Sequence, residues 1–190
     1  MTKLQNKLII GLIGEMGSGK DTVADYIGKK YKSQSISFSQ PLRDILDRIY
    51  LPQSRKNMVA LGTLLRKQFG NNLIAKTIIE EIGDSKAKIV CLPNVRLKED
   101  ITKLKKLDNF LLISIEAEPK TRYTRITKRS QNSDDKTKTW KQFLTDSKLL
   151  TEIGIKNLAK KAQFNLDNNG NYRQLYVQID EAMKQIKKKK

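Results

Sequence analysis

Histidine is absent from the 190 residues, and cysteine occurs once, at Cys91. The first absence excludes Ser-His-Asp and Cys-His catalysis and any zinc site built on imidazole. The second excludes an internal disulfide. No apolar run approaches the ~18 residues that a membrane span needs; the longest are Leu8–Ile13, around Gly11, and Leu111–Ile113. The N-terminal lysines and apolar stretch lead into Glu15 and a glycine loop, where a secretory signal would have its cleavage site, so a cytoplasmic chain is expected. Arginine is scarce as well, with nine against 29 lysines.

What is present fits one α/β domain over residues 1–190. Apolar residues make up 38%, enough for a core at this length, and the 31% charged residues are spread through the chain. The formal net charge of +18 favours anionic partners: nucleic acid, an anionic membrane or phosphate-rich small molecules. The dispersed lysines weaken the nucleic-acid alternative, because a lysine-heavy surface often serves only solvation. The tail Lys187–Lys190 reads the same way.

Strand signals fall at Lys7–Gly14, Gln34–Phe38, Lys88–Leu92, Asn109–Glu116 and Gln163–Leu166. The first is almost continuously apolar, as a central parallel strand should be. Helical periodicity starts at Asp21, where Val23, Ala24, Tyr26 and Ile27 share a face. It returns after Pro41, with Leu42, Ile45, Leu46 and Ile49. Ser54 is placed to cap a helix that runs to Phe69 and stops at Gly70. Further helices are expected over Asn72–Ile82, 98–107, Lys120–Lys128, Trp140–Leu150, Glu152–Lys160 and Tyr172–Ile186. The polar stretch Ser130–Lys138 reads as a mobile loop, and Asn168-Asn169-Gly170 as a turn. Strands separated by helices indicate a parallel sheet in an α/β fold.

The most specific segment is Gly14-Glu15-Met16-Gly17-Ser18-Gly19-Lys20-Asp21-Thr22, close to the phosphate-loop pattern G-x-x-x-x-G-K-[ST]. A strand delivers the chain, glycines allow backbone N–H groups to point inward, and a helix begins with its positive end at the loop. Lys20 is placed to reach the β- and γ-phosphates of ATP, with Gly14, Gly17, Ser18, Gly19 and Thr22 as further nucleotide contacts. Asp21 departs from the pattern, which has a hydroxyl there for Mg²⁺. A carboxylate can bind that hard cation, although an acid in a first helical turn is also stabilised by the dipole alone.

With the loop in place, the chain resembles the P-loop nucleotide kinases, in the branch of deoxynucleoside monophosphate kinases and dephospho-CoA kinase-like proteins. The resemblance rests on Gly19-Lys20-Asp21-Thr22 and Ser37-Phe38-Ser39-Gln40-Pro41-Leu42-Arg43-Asp44. It continues at Ala60-Leu61-Gly62-Thr63-Leu64-Leu65-Arg66 and Pro93-Asn94-Val95-Arg96. Glu118-Pro119-Lys120-Thr121-Arg122-Tyr123-Thr124-Arg125, with Lys128 and Arg129, resembles the arginine-rich lid helix. Asp167-Asn168-Asn169-Gly170 resembles the turn near the adenine, which makes Asn169 a nucleotide contact. The resemblance implies a three-layer α/β/α fold with a central parallel sheet and a helical lid at about residues 120–150. It further implies transfer of the γ-phosphoryl of Mg·ATP to a nucleoside or deoxynucleoside monophosphate, with dephospho-CoA as the alternative acceptor.

Arg122, Arg125 and Arg129 are spaced i, i+3, i+7 on one helical face and are candidates to clamp donor phosphates during transfer. A solvated basic helix face is the alternative. Arg43, Arg66 and Arg96 are candidates for the acceptor's phosphate, Arg96 above all because it directly follows a buried strand. Arg43 and Arg66 could equally pair with neighbouring acids such as Asp44. Asp44 itself could serve the acceptor's hydroxyl or sugar. Two departures from the family pattern bear on activity. Asn94 stands where an acid is usual, and Gln131 stands where a lid arginine often follows. A nucleic-acid-associated ATPase or polynucleotide kinase, and a nucleotide-binding protein without turnover, remain alternatives at this stage.

Overall fold

The computed structural model describes residues 2–128, 136–148 and 150–188. A short helix α1 (Thr2–Gln5) precedes β1 (Leu8–Ile13), α2 (Lys20–Tyr31) and β2 (Gln34–Ser35). Then come α3 (Gln40–Arg48), α4 (Arg55–Phe69), α5 (Leu73–Asp84) and β3 (Ile89–Leu92). A one-turn helix α6 (Lys98–Ile101) and a 3₁₀ turn (Leu104–Lys106) lead to β4 (Phe110–Glu116). Helices α7 (Pro119–Lys128), α8 (Trp140–Asp146) and α9 (Leu150–Ala159), strand β5 (Phe164–Asp167) and α10 (Tyr172–Lys188) complete the chain.

All five strands are parallel, in the order β2-β3-β1-β4-β5. Strand β1 is central and buried along its whole length, and for that reason its sequence is apolar on both faces. Alternate residues feed two cores. Leu8, Ile10 and Leu12 pack with Val23 and Ile27 of α2 and with Leu175, Ile179 and Met183 of α10. Ile9 and Ile13 pack on the opposite side with Ile74, Ile78 and Ile82 of α5 and Ile155 and Leu158 of α9. Two helical layers sandwiching a parallel sheet give the expected three-layer α/β/α architecture.

Local signals account for most element boundaries. Ser54 Oγ accepts the Asn57 N–H at 3.2 Å, and Gly70, with φ 94°, ends α4. Four boundaries differ from expectation. Helix α1 carries no periodic signal in four residues. Strand β2 covers only two residues, because its sole neighbour is β3 and the pairing ends at Ser35. The stretch 98–107 breaks into α6 and the 3₁₀ turn, which lets Ile101 and Leu104 both reach the core. Helix α8 stops at Asp146 rather than at Leu150, and Ser147 Oγ takes the Phe143 carbonyl at 2.9 Å. Of the expected polar loop, 130–135 lies outside the described residues.

Candidate active site

The loop between β1 and α2 is built on glycine for two distinct reasons. A side chain on Gly14 would overlap the Ile115 carbonyl of β4 and the Ser18 hydroxyl, so close approach excludes one. Gly17 and Gly19 instead adopt φ of 78° and 101°, the left-handed region that other residues enter at a cost. The turn brings Lys20 back over the loop, where its Nζ donates to the Gly14 carbonyl at 2.7 Å and the Glu15 carbonyl at 3.0 Å. Gly19 caps α2 without any side-chain hydrogen bond, so no side chain competes for the helix's first N–H groups. The Ser18 hydroxyl is buried and has no hydrogen-bond partner among the described residues. An uncapped helix start of twelve residues, a buried hydroxyl and an adjacent ammonium suit an anion.

Asn168 locks this loop from the far side of the sheet. Its Nδ2 donates to the Ser18 carbonyl at 2.8 Å, and its own N–H continues the ladder to the Glu116 carbonyl at 2.8 Å. Arg125 then donates through Nη2 to the Asn168 carbonyl at 2.8 Å, while its Nη1 is buried without a partner among the described residues. Asn169 accepts the Glu118 N–H at 2.7 Å and binds Asp167 Oδ1 at 2.6 Å, tying the turn to the start of α7. Asn169 was legible as a site residue and Asn168 was not. The signal existed, because the alternation that buries Leu166 continues to Asn168, two residues further on the same face.

Arg122 sits under the loop rather than out over it. It is 3% exposed. Its Nε donates to the Ala117 carbonyl at 3.0 Å, its Nη1 to the Met16 carbonyl at 3.3 Å, and its Nη2 pairs with Glu15 Oε2 at 3.2 Å. The guanidinium also lies 5.3 Å from the centre of the Phe143 ring. Arg122 and Arg125 therefore share a helix and serve different partners, and Arg129 lies outside the described residues. Met16, Ile126 and Phe143 form a small separate core that Tyr123 flanks, with Trp140 stacked on Phe143 at 5.3 Å. It seats α8 against the phosphate loop.

A cavity of about 550 Å³ opens beside the loop. Its walls include Gly14, Glu15 and Ser18, Arg122 of α7, Asn169, and Lys156 and Lys160 of α9. The two lysines carry no motif and went unnoticed in the sequence; only the packing of Ile155 against the sheet turns them to this side.

Of the acceptor candidates, Arg96 follows β3, Arg43 and Asp44 lie in α3, and Arg66 lies in the last turn of α4. Arg43 donates to Gln53 Oε1 at 2.7 Å, and Asp44 accepts from Gln40 at 2.7 Å, so the two do not pair with each other. Asn94 donates to Ser37 Oγ at 3.2 Å, and Ser37 in turn bonds Ser39 at 2.9 Å. Asp100 is 4% exposed and accepts the N–H groups of Leu97 at 2.9 Å and Arg96 at 3.3 Å. Burial pushes its carboxyl above the usual carboxylate range, while those N–H groups and the Arg66 charge pull it back. Arg66 keeps its Nε buried without a hydrogen bond. Asp100 thus anchors the segment that carries Arg96 and faces the charge of Arg66.

Asp21 is exposed in the first turn of α2. Among the described residues no group of three or more acidic or sulfur side chains is arranged around one point. A single carboxylate beside a phosphate site still fits Mg²⁺, which takes one or two carboxylates together with phosphate oxygens and water.

The family model described as an AAA domain matches residues 13–142, from the end of β1 through the start of α8. A UPF0200 protein of Sulfurisphaera tokodaii is 28% identical over 186 residues, covering 94% of this chain and 97% of its own. A UPF0200 protein of Thermococcus sibiricus is 24% identical over 188 residues, with 96% and 97% covered. Among solved structures, a shikimate kinase from Bacteroides thetaiotaomicron superposes with a TM-score of 0.64 at 14% identity, covering 95% of this chain and 98% of that one. A gluconokinase from Sinorhizobium meliloti gives 0.57 at 12% identity, with 98% of each chain covered. At such identities the likeness establishes the fold.

Proposed function

We propose that this chain, which belongs to the AAA domain family, is an ATP-dependent phosphotransferase acting on a small phosphate-bearing acceptor. The observation that carries the proposal is the loop of Gly14–Thr22, with the open N-terminus of α2 and the Lys20 ammonium turned back over it. Lys20 meets the β- and γ-phosphates, the loop N–H groups cradle the remaining oxygens, and Arg125 and Asn169 border the nucleotide. Asp21 would hold Mg²⁺, which supplies charge neutralisation between the β- and γ-phosphates when bound.

On the acceptor side, Arg96 leads, with Arg43, Arg66 and Asp44 as further candidates. Guanidinium groups suit a phosphate or another anionic group on the acceptor. A nucleoside or deoxynucleoside monophosphate is the first choice and dephospho-CoA the second. The names of the solved neighbours, a shikimate kinase and a gluconokinase, add small non-nucleotide acceptors to those worth testing. Phosphoryl transfer asks the protein for positioning and positive charge more than for covalent chemistry, and the absence of histidine is no obstacle.

A second reading rests on Asn94. Its amide nitrogen is committed to Ser37, and an amide brings no negative charge to orient metal-bound water or accept a proton. On that reading the chain binds nucleotide without turning it over. The test is ADP formation from Mg·ATP against ribo- and deoxyribonucleoside monophosphates, dephospho-CoA, shikimate, gluconate and a 5′-hydroxyl oligonucleotide, with Lys20→Ala as the blank. Stimulation by one acceptor, abolished in Lys20→Ala, is the expected result. A flat panel with ATP binding intact would favour the second reading, and ATP binding unaffected by Lys20→Ala would overturn the phosphate-loop assignment itself.

A further inference from the structure

The second residue of the phosphate loop is an acid, and its carboxylate lies among cations. Glu15 Oε2 is 3.2 Å from Arg122 Nη2, and Glu15 Oε1 is 3.7 Å from Lys156 Nζ. These partners come from α7 and α9. Arg122 is almost wholly enclosed, whereas the Lys156 side chain is 66% exposed and Glu15 itself 21%. All three line the cavity beside the loop, together with Ser18, whose buried hydroxyl has no hydrogen-bond partner among the described residues.

The position of this acid along the nucleotide follows from Lys20. That ammonium is the loop's contact to the β- and γ-phosphates, and it rests on the carbonyls of Gly14 and Glu15. The Glu15 backbone therefore lies at the part of the loop that Lys20 serves, and its side chain reaches from there to Arg122 and Lys156. There it does what a terminal phosphoryl group would do, by holding a lysine and an arginine with a pair of anionic oxygens.

We infer that Glu15 is a specificity-determining residue, an internal counter-ion that a terminal phosphoryl group has to displace from Lys156, so that the chain discriminates against nucleoside triphosphate relative to diphosphate. The inference rests on the nucleotide-binding part of the proposed function and not on the identity of the acceptor. The physical basis is Coulombic. The γ-phosphoryl adds negative charge within a few ångströms of a fixed carboxylate, and a diphosphate ends before it reaches that group. One unit charge at about 6 Å, at an effective dielectric of about 40 between protein surface and water, changes an affinity by roughly an order of magnitude.

The expected displacement is local. Arg122 keeps its bonds to the Met16 and Ala117 carbonyls whether or not Glu15 stays, and Lys156 is the exposed partner that is free to exchange an anion. Glu15→Gln keeps an oxygen that can accept from Arg122 while removing the charge, which separates the electrostatic role from support of the buried guanidinium.

The test is equilibrium binding of ATP and ADP, with and without Mg²⁺, to the wild-type chain, Glu15→Gln, Glu15→Gln/Lys156→Gln and Lys20→Ala, with thermal melting of each protein as a fold check. Glu15→Gln should tighten ATP about five- to twentyfold and ADP no more than about twofold. The double variant, which restores the original local charge, should return ATP to within about threefold of wild type. Equal tightening of both nucleotides, or weakening of both together with a lower melting temperature, would overturn the inference and leave Glu15 as a support for Arg122. In that outcome nucleotide binding by the wild type would still stand. A wild-type chain that binds neither nucleotide would overturn this inference and the proposed function together.

Discussion

Gly19→Ala isolates the coupling between the phosphate loop and the turn after β5. Gly19 holds φ 101°, and a methyl group there would overlap the Asn168 amide nitrogen, which is buried and donates to the Ser18 carbonyl at 2.8 Å. Two costs follow. Placing an L-residue in the left-handed region costs roughly 1–2 kcal/mol. Displacing the amide leaves a buried donor and a buried acceptor unmatched, for about another 1–3 kcal/mol. A total of roughly 2–5 kcal/mol corresponds to a melting temperature lower by about 4–20 °C at this chain length. Asn168→Ala loses the hydrogen bond but opens space for the methyl, so Gly19→Ala made in that background should cost only the backbone term. The double-mutant cycle, read by urea denaturation, should show a coupling of about 1–3 kcal/mol, the hydrogen-bond term. Strict additivity, or a Gly19→Ala protein within about 0.5 kcal/mol of wild type, would refute the reasoning.

Two further predictions concern residues away from the site. Cys91 is fully buried in β3, and burial pushes its thiol up to about 12. The native protein should not react with a thiol reagent at pH 8, and any labelling should follow the rate of global unfolding; rapid stoichiometric labelling would contradict the packing. At the opposite face, Asp180 accepts from Lys30 at 2.6 Å, Tyr31 at 2.7 Å and Tyr26 at 3.0 Å. Burial works to raise its carboxyl, but these three donors outweigh it and hold the group below the usual carboxylate range. A depressed acid contributes its stability above the unfolded-state value of about 4 and loses it as the pH falls further. Asp180→Asn should therefore cost about 1 kcal/mol at pH 7, allowing for solvent screening, and less at pH 3. Urea midpoints for both proteins at the two pH values measure this, and a difference that grows toward pH 3 would reverse the sign of the argument.

Much of the architecture was legible because parallel sheets impose a readable pattern. A central strand buried on both faces has to be apolar throughout, and each of the five strands was found within a few residues of its place. The misplaced boundaries occur where tertiary contacts decide. Strand β2 has one neighbour and ends where the pairing ends, and the helix expected over 98–107 breaks so that both Ile101 and Leu104 can reach the core.

The site divides in the same way. Gly14, Gly17, Gly19 and Lys20 were readable from the chain because a phosphate loop is a local object: the turn geometry, the helix dipole and the lysine all lie within nine residues. Of the partners of that loop, Asn168 and Lys156 were not readable and Arg122 was read as a phosphate clamp rather than as the partner of Glu15, since all three arrive from distant segments. Asn168 is brought to Ser18 by the pairing of β4 with β5, Arg122 to Glu15 by the return of α7, and Lys156 by the packing of α9. The sequence by itself determined that there is a parallel α/β fold and a loop made for phosphate. Only the tertiary structure decided which charges surround that loop, because the sign of the field at a site is a sum over groups that share space and not sequence.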